Sequence, residues 1–289
     1  MITENFNSIN NFVSIIETRN LNPVFKNADF SVFNFKLKPD SYLNRDSFYE
    51  LKNYNEAKNF ILNGYSKEVK NLKTSIDYQI PTTKNKKFLS PVGCLPVVAN
   101  AIKNIPCSML YQKKTKIENR CITFYYSPTS IASTKGKELL QAGKEFLNLV
   151  NHFEKLGIKT KIYILPKFSM DRNLKNSYAC KVLIKDFSNP FNILKLSYPL
   201  SHPAFFRLQG FLWMETLQNK IDECLINSYG ISLSKIKIDY PSIYQSQIKE
   251  LKKANFFEKN SFYLDYQDFY NYNYDTEKII KDIEKFKVN

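Results

Sequence analysis

The sequence predicts an α/β fold with an N-terminal extension and a helical C-terminal appendage. Two observations carry this. "CITFYYS" (Cys121 to Ser127) is β-branched, aromatic and almost uncharged, as a strand buried on both faces should be. Residues Lys135 to Leu156 then place Leu139, Ala142, Gly143, Phe146, Val150 and Phe153 on one helical stripe that ends at Gly157, with "IKTKIYIL" and "SYACKVLIKDF" as the next strands. Strand, polar loop, amphipathic helix, glycine, strand is the pattern of a parallel pair joined by a right-handed crossover.

The remaining elements follow in chain order. Residues 1 to 45 read as irregular apart from a short strand in "FSVFNFKLK" (Phe30 to Lys38). Asn55 is placed to cap a helix with Ala57, Phe60 and Ile61 on one face and Gly64 as its stop, and a second helical segment is expected over Ser66 to Leu72. "PTTKNKKFLSP" reads as a basic loop or exposed arm. Pro96 is positioned to open a short helix through Ile102 that Pro106 closes, ahead of a strand at Ser108 to Gln112. "DYPSIYQSQIKELKKANFF" and "DTEKIIKDIEKFKVN" are amphipathic helices. The second is capped by Asp275, with Ile279, Ile280, Ile283 and Phe286 inward. The Tyr-rich "SFYLDYQDFYNYNYD" between them is expected to pack on the core or contact a protein rather than to stack on bases, since its three acids repel phosphate. The expected division is 1–80 as an extension with helices, 81–220 as a basic α/β core and 221–289 as a helical appendage.

With 289 residues, 43% of them hydrophobic, the chain can bury a sizeable core. It has no run of 18 or more apolar residues and no signal-peptide pattern at its start, so an unsecreted protein without a membrane partner is expected, in host cytoplasm or virion. Five cysteines (Cys94, Cys107, Cys121, Cys180, Cys224) form no C-x-x-C pair, and buried reduced thiols are expected.

The net charge of +15 is unevenly distributed. Residues 1–80 carry ten basic and nine acidic side chains, and residues 208–289 carry eleven and twelve. Residues 81–207 hold 21 basic residues against Glu118, Glu138, Glu145, Glu154, Asp171 and Asp186, so the middle of the chain supplies the whole excess. A concentrated positive field draws polyanions such as nucleic acid. Lys84, Lys86, Lys87, Lys113, Lys114, Lys116 and Arg120 are the candidate contacts to nucleic acid or an acidic protein surface. A solvated lysine face that keeps an aromatic-rich protein in solution is the alternative.

Neither G-x-G-x-x-G, G-x-x-x-x-G-K-[ST] nor G-x-S-x-G occurs. The chain has only two histidines, and His152 lies in the long helix, where a partly exposed neutral imidazole is expected. Glu138, Glu145 and Glu154 look like surface charges beside Lys137, Lys144 and Lys155. No cofactor and no metal is expected. In "SHPAFFRLQGFLWMET" (Ser201 to Thr216), Pro203 sits in a first helical turn that Ser201 or His202 can cap. Phe205, Leu208 and Leu212 beside Phe206, Gly210, Trp213 and Leu217 make that helix apolar on most of its surface.

The order strand, polar loop, amphipathic helix resembles the von Willebrand factor A fold, whose D-x-S-x-S loop ligates magnesium. Here the loop reads "YSPTS": Tyr126 stands in the Asp position and Pro128 in that of the first Ser, while Ser130 is kept and Ser127 and Thr129 lie between. The loop supplies no anionic oxygen, so the resemblance implies a degenerate metal loop. Residues 45 to 218 are also similar to a family of uncharacterised proteins encoded by bacteriophages and related mobile elements. The similarity is carried by "SFYELKNYNEAKNFILNGY", "VGCLPVVANAIKNIPCSM", the unit from Ile122 to Gly157, and "LSHPAFFRLQGFLWMET". His202, Pro203, Arg207, Phe211 and Glu215 fit its H-P-x-x-x-R-R motif, with Leu208 in place of the second Arg. This similarity implies a phage or mobile-element origin and a Rossmann-like or von Willebrand factor A-like core, and it brings no activity with it. The expected role is non-catalytic binding of nucleic acid or an acidic partner by the basic α/β region. A structural or assembly protein that contacts other phage proteins is the alternative, and a degenerate metal-dependent enzyme comes third.

Overall fold

The computed structural model describes residues 1–25, 32, 51, 54–65, 86–113, 121–129, 134–171, 173–217, 229–258 and 261–285. Strand β1 (Ile2–Phe6) leads into helix α1 (Ile9–Thr18). The Ser8 hydroxyl caps α1 by accepting from the Asn11 N–H at 3.1 Å, and Phe12, Val13 and Ile16 are buried. Two regular elements therefore replace the irregular start that was expected, because a five-residue strand containing Thr, Glu and Asn shows little apolar alternation of its own. The expected strand at 30–38 lies outside the described residues, except for Val32, which is helical and buried.

Helix α2 (Tyr54–Asn63) begins before Asn55, which is therefore inside the first turn and not the cap. The expected helix at 66–72 lies outside the described residues. β2 (Lys86–Ser90), β3 (Leu95–Pro96), α3 (Val98–Ile102) and β4 (Met109–Lys113) follow. Much of the expected basic loop is thus a strand, and Pro96 belongs to β3 rather than opening α3. These strands form a separate antiparallel sheet in the order β2-β4-β3.

The main sheet uses β5 (Cys121–Ser127), β6 (Lys159–Met170) and β7 (Ser177–Lys185), with helix α4 (Gly136–Lys155) between the first two. Next come α5 (Ile193–Ser201), a π-helix (Phe205–Gly210), α6 (Phe211–Glu215), β8 (Ile231–Ser232), α7 (Leu233–Asp239) and α8 (Pro241–Lys253). β9 (Ser261–Asp265), α9 (Tyr266–Asn271) and α10 (Thr276–Lys285) close the chain. The strand order is β1-β7-β6-β5-β9, with β8 on the end of β6. β5 runs parallel to β6 and to β9, β7 is antiparallel to β6, and β1 is parallel to β7. The fold is therefore mixed α/β. The Tyr-rich stretch is not only packing: its first residues are strand β9, in the same sheet as β1 from the other end of the chain.

Both faces of the sheet are covered. Ile122, Phe124 and Tyr126 of β5 join α1, α2, α4, α5 and α10 in the larger core. Tyr125, Leu165, Phe168 and Ala179 meet α7 and α8 in a second one. Alternation along β5 splits its side chains between the two. Helix α4 crosses α5 closely at Gly143, where an added Cβ would lie 2.3 Å from the Leu200 carbonyl oxygen. Lys135 is the α4 N-cap residue, and its N–H donates to Glu138 at 3.1 Å.

The acids of α4 make tertiary contacts. Glu154 meets Lys185 Nζ at 2.8 Å, Glu145 accepts from Thr276 at 2.5 Å, and Glu138 accepts from the Tyr266 hydroxyl at 3.2 Å. His152 is buried, not partly exposed, with its ring edge-on to Phe153. Of the four cysteines in the described residues only Cys180 is buried, whereas Cys94 and Cys121 are exposed. Among the described residues no helix is long and apolar enough to cross a membrane.

Candidate functional site

The motif "SHPAFFRLQGFLWMET" is interior structure. His202 ends α5, where its Nδ1 accepts from the Ala204 N–H at 3.2 Å, and its ring lies edge-on to Tyr65 at 4.9 Å. Pro203 precedes the π-helix. Arg207 is half-buried, its guanidinium 5.8 Å from the Phe206 ring. Glu215 is buried and accepts from the Val32 N–H at 2.8 Å and from the Tyr229 hydroxyl. The Tyr229 ring stacks on Phe211 at 4.0 Å, and its carbonyl accepts from Lys167 Nζ, which also lies 5.0 Å over Phe211. Burial pulls the Lys167 amine down to about 7, partly countered by Cys180. The motif thus ties the N-terminal residues, β6 and Tyr229 together. Lys167 and Tyr229 gave no sequence signal, since neither lies within the motif.

The loop "YSPTS", expected to be a degenerate metal loop, begins at the carboxyl end of β5. Tyr126 is buried with its ring on Phe146 at 4.5 Å, and the Ser127 and Thr129 hydroxyls are 2.7 Å apart. Ser130 lies outside the described residues. Ser127 is the register partner of Asp265 at the end of β9, a carboxylate that sequence reasoning missed because its partner strand is so distant in sequence. Asp265 caps α9 in a reciprocal box with Asp268. Lys237 Nζ lies 2.6 Å from Asp268 Oδ1 and 3.6 Å from Asp265 Oδ2. Burial, then the Asp268 charge, raises the Asp265 pKa, while Lys237 opposes both. An ammonium group from α7 thus sits against these two carboxylates. Among the described residues no group of three or more His, Cys, Asp or Glu could hold a metal ion.

Part of the central positive charge is internal. Lys167, Lys181 and Lys185 are buried, and Lys181 and Lys185 donate to the carbonyls of Phe256 and Thr160. Lys161 donates to Glu258 at 2.6 Å, and Tyr163 donates to the same oxygen at 2.9 Å. Burial alone would raise the Glu258 pKa, but these two hydrogen bonds, the Lys161 charge and a hydrogen bond from Thr123 together lower it.

The small sheet is different. Its antiparallel register sets Lys86 opposite Lys113, Lys87 opposite Gln112, and Phe88 opposite Tyr111. Two basic stretches that are well separated in sequence therefore meet at one end of the ribbon. The backbone alone is described at Lys86, Lys87 and Lys113, and Lys84, Lys114, Lys116 and Arg120 lie outside the described residues. Phe88 and Tyr111 are each 44% exposed with ring centroids 5.2 Å apart. Leu89, Val92, Leu95, Val98 and Ile102 are exposed as well, and no described side chain from Phe88 to Tyr111 is buried.

The fold and this site define a mixed α/β protein with a separate, apolar-faced β-ribbon bordered by lysines. The chain belongs to the DUF7192 family, a domain of unknown function, whose family model matches residues 1–286. No curated protein and no solved structure matches it.

Proposed function

We propose that this is a non-catalytic nucleic-acid-binding protein of a phage or mobile element, acting through the β2-β4-β3 ribbon. The observation that carries the reading is the direct opposition of Lys86 and Lys113. Like charges facing across strands destabilise a sheet, and a polyanion lying across them offsets that cost. Residues 81–120 hold eight basic residues against Glu118 alone, so the potential is concentrated where the apolar ribbon is exposed. The core serves as scaffold. Its parallel β5-α4-β6 unit supports a Rossmann-like reading, and the polar loop after β5 supports a von Willebrand factor A-like one with its metal loop degenerate.

Fluorescence anisotropy with labelled oligonucleotides between about 50 and 400 mM salt tests the proposal. The logarithm of affinity should fall linearly with that of salt, and K86Q, K87Q and K113Q combined should flatten the slope by roughly 0.7 per lost contact on a single strand. Absence of binding at low salt, or salt-independent affinity, would overturn it. The exposed apolar side chains of the same ribbon favour a second reading, an assembly protein acting by protein contact. Concentration-dependent sedimentation that the combined K86Q, K87Q and K113Q changes leave unaltered would support that instead.

A further inference from the structure

We propose that the ribbon's ligand is a single nucleic-acid strand, whose bases stack on the Phe88–Tyr111 pair and whose sugar is not read. This rests on the nucleic-acid reading above and narrows it. A β-ribbon can meet nucleic acid in two ways: by entering the major groove of a duplex or by presenting its side chains to unpaired bases. Groove readers need hydrogen-bonding side chains at their centre, aimed at base edges. Here the register pairs at the centre are Phe88 with Tyr111 and Leu89 with Leu110.

Width argues the same way. β3 pairs with the other edge of β4 at Leu95–Leu110, next to the aromatic pair. Three strands span about 10 Å between their outer axes before the outer backbones and side chains are added. That leaves no room in a groove about 12 Å wide.

An unpaired base offers what this surface lacks a partner for. Its π-face fits an exposed aromatic ring, and its phosphate fits lysines. Residues two apart on a strand share a face, so the backbone puts positions 86 and 113 on the same face as Phe88 and Tyr111, about 7 Å along the ribbon. Bases on the rings and phosphates toward positions 86 and 113 can then be held at once. Reading a 2′-hydroxyl requires polar side chains beside the stack. On the face of the rings the described neighbours are Ser90, Met109 and Pro96, and the one hydroxyl among these three, that of Ser90, already accepts from the Val92 N–H at 3.3 Å.

The test titrates the full-length protein with oligo-dT, oligo-rU and a blunt DNA duplex of equal length at about 100 mM salt. Oligo-dT should bind at least about tenfold tighter than duplex, and oligo-rU within about threefold of oligo-dT. F88A and Y111A should each weaken single-strand binding by about tenfold with the salt slope unchanged, and F88L, which keeps apolar volume without a ring, should match F88A. Equal or tighter duplex binding, or unaltered single-strand affinity in both alanine variants, would overturn this inference while leaving the nucleic-acid reading intact. Preference for rU beyond about tenfold would overturn the indifference to sugar. Failure of all three ligands to bind even at low salt would overturn both readings.

Discussion

Lys167 has a carbonyl and two aromatic rings for company, with no carboxylate among the contacts described. Burial pulls its amine down to about 7 in the folded protein, from the 10.5 of an ordinary lysine. The unfolded chain therefore binds more protons between those values, so this residue adds stability as pH rises through that window. Asp265 acts in the opposite sense below it: its pKa is raised by burial and Asp268, so its contribution to stability falls as pH climbs from about 4. Lys167→Met removes the first dependence. In urea melts the wild type should gain on the variant by about 3 kcal/mol between about pH 7 and 9.5, and parallel curves would show that the amine is hydrated. Asp265→Asn should flatten the slope between about pH 4 and 7 in the same experiment. Neither residue stood out in the sequence, since a lysine in a strand and an aspartate in a Tyr-rich stretch look like surface.

Elements that carry their own periodicity were legible: β5, α4 and β7 fall within a residue or two of their expected bounds and α10 begins within one residue of its expected start, because each has a one-sided or continuous apolar pattern. β1 and β9 were not, because what makes them strands is a partner far along the chain: Ile2 pairs with Tyr178 and Phe262 with Phe124. The π-helix was read as an ordinary helix for a related reason. Its apolar residues fit a 3.6-residue repeat, and it lies close against β6, where a Cβ on Gly210 would lie 2.2 Å from the Pro166 carbonyl oxygen. At Gly143 the obstacle is also backbone, the Leu200 carbonyl and the Ser201 Cα. Backbone cannot rotate aside as a side-chain tip can. Gly143→Ala and Gly210→Ala should each cost about 1–3 kcal/mol, seen as a lower urea midpoint at unchanged m value. A variant as stable as wild type would mean that the two elements separate freely at that crossing.

At the scale of the whole molecule, the lysines of the ribbon could be named from composition, but their opposition could not. Lys86 and Lys113 face each other only through antiparallel pairing, whereas Lys167, Lys181 and Lys185 add to the same charge count from inside the fold. Charge along a sequence is blind to which side of a strand it lies on. The same contrast separates the stability of the core from the function proposed for the ribbon. No described side chain from Phe88 to Tyr111 is buried, so replacing residues 86–113 by a Gly-Ser linker removes no apolar contact from either core. Residues 1–7 are the opposite case. They supply β1 beside β7, the buried Phe6, and Glu4, which accepts from Arg19 and from the Trp213 indole at 2.9 Å each. Calorimetry should show the ribbon replacement melting within about 3 °C of wild type, and deletion of residues 1–7 melting more than about 10 °C lower. The ribbon replacement should also lose all affinity for oligonucleotide. A replacement that melts without cooperativity would show that the ribbon is part of the fold, and one that keeps its affinity would move the binding surface elsewhere.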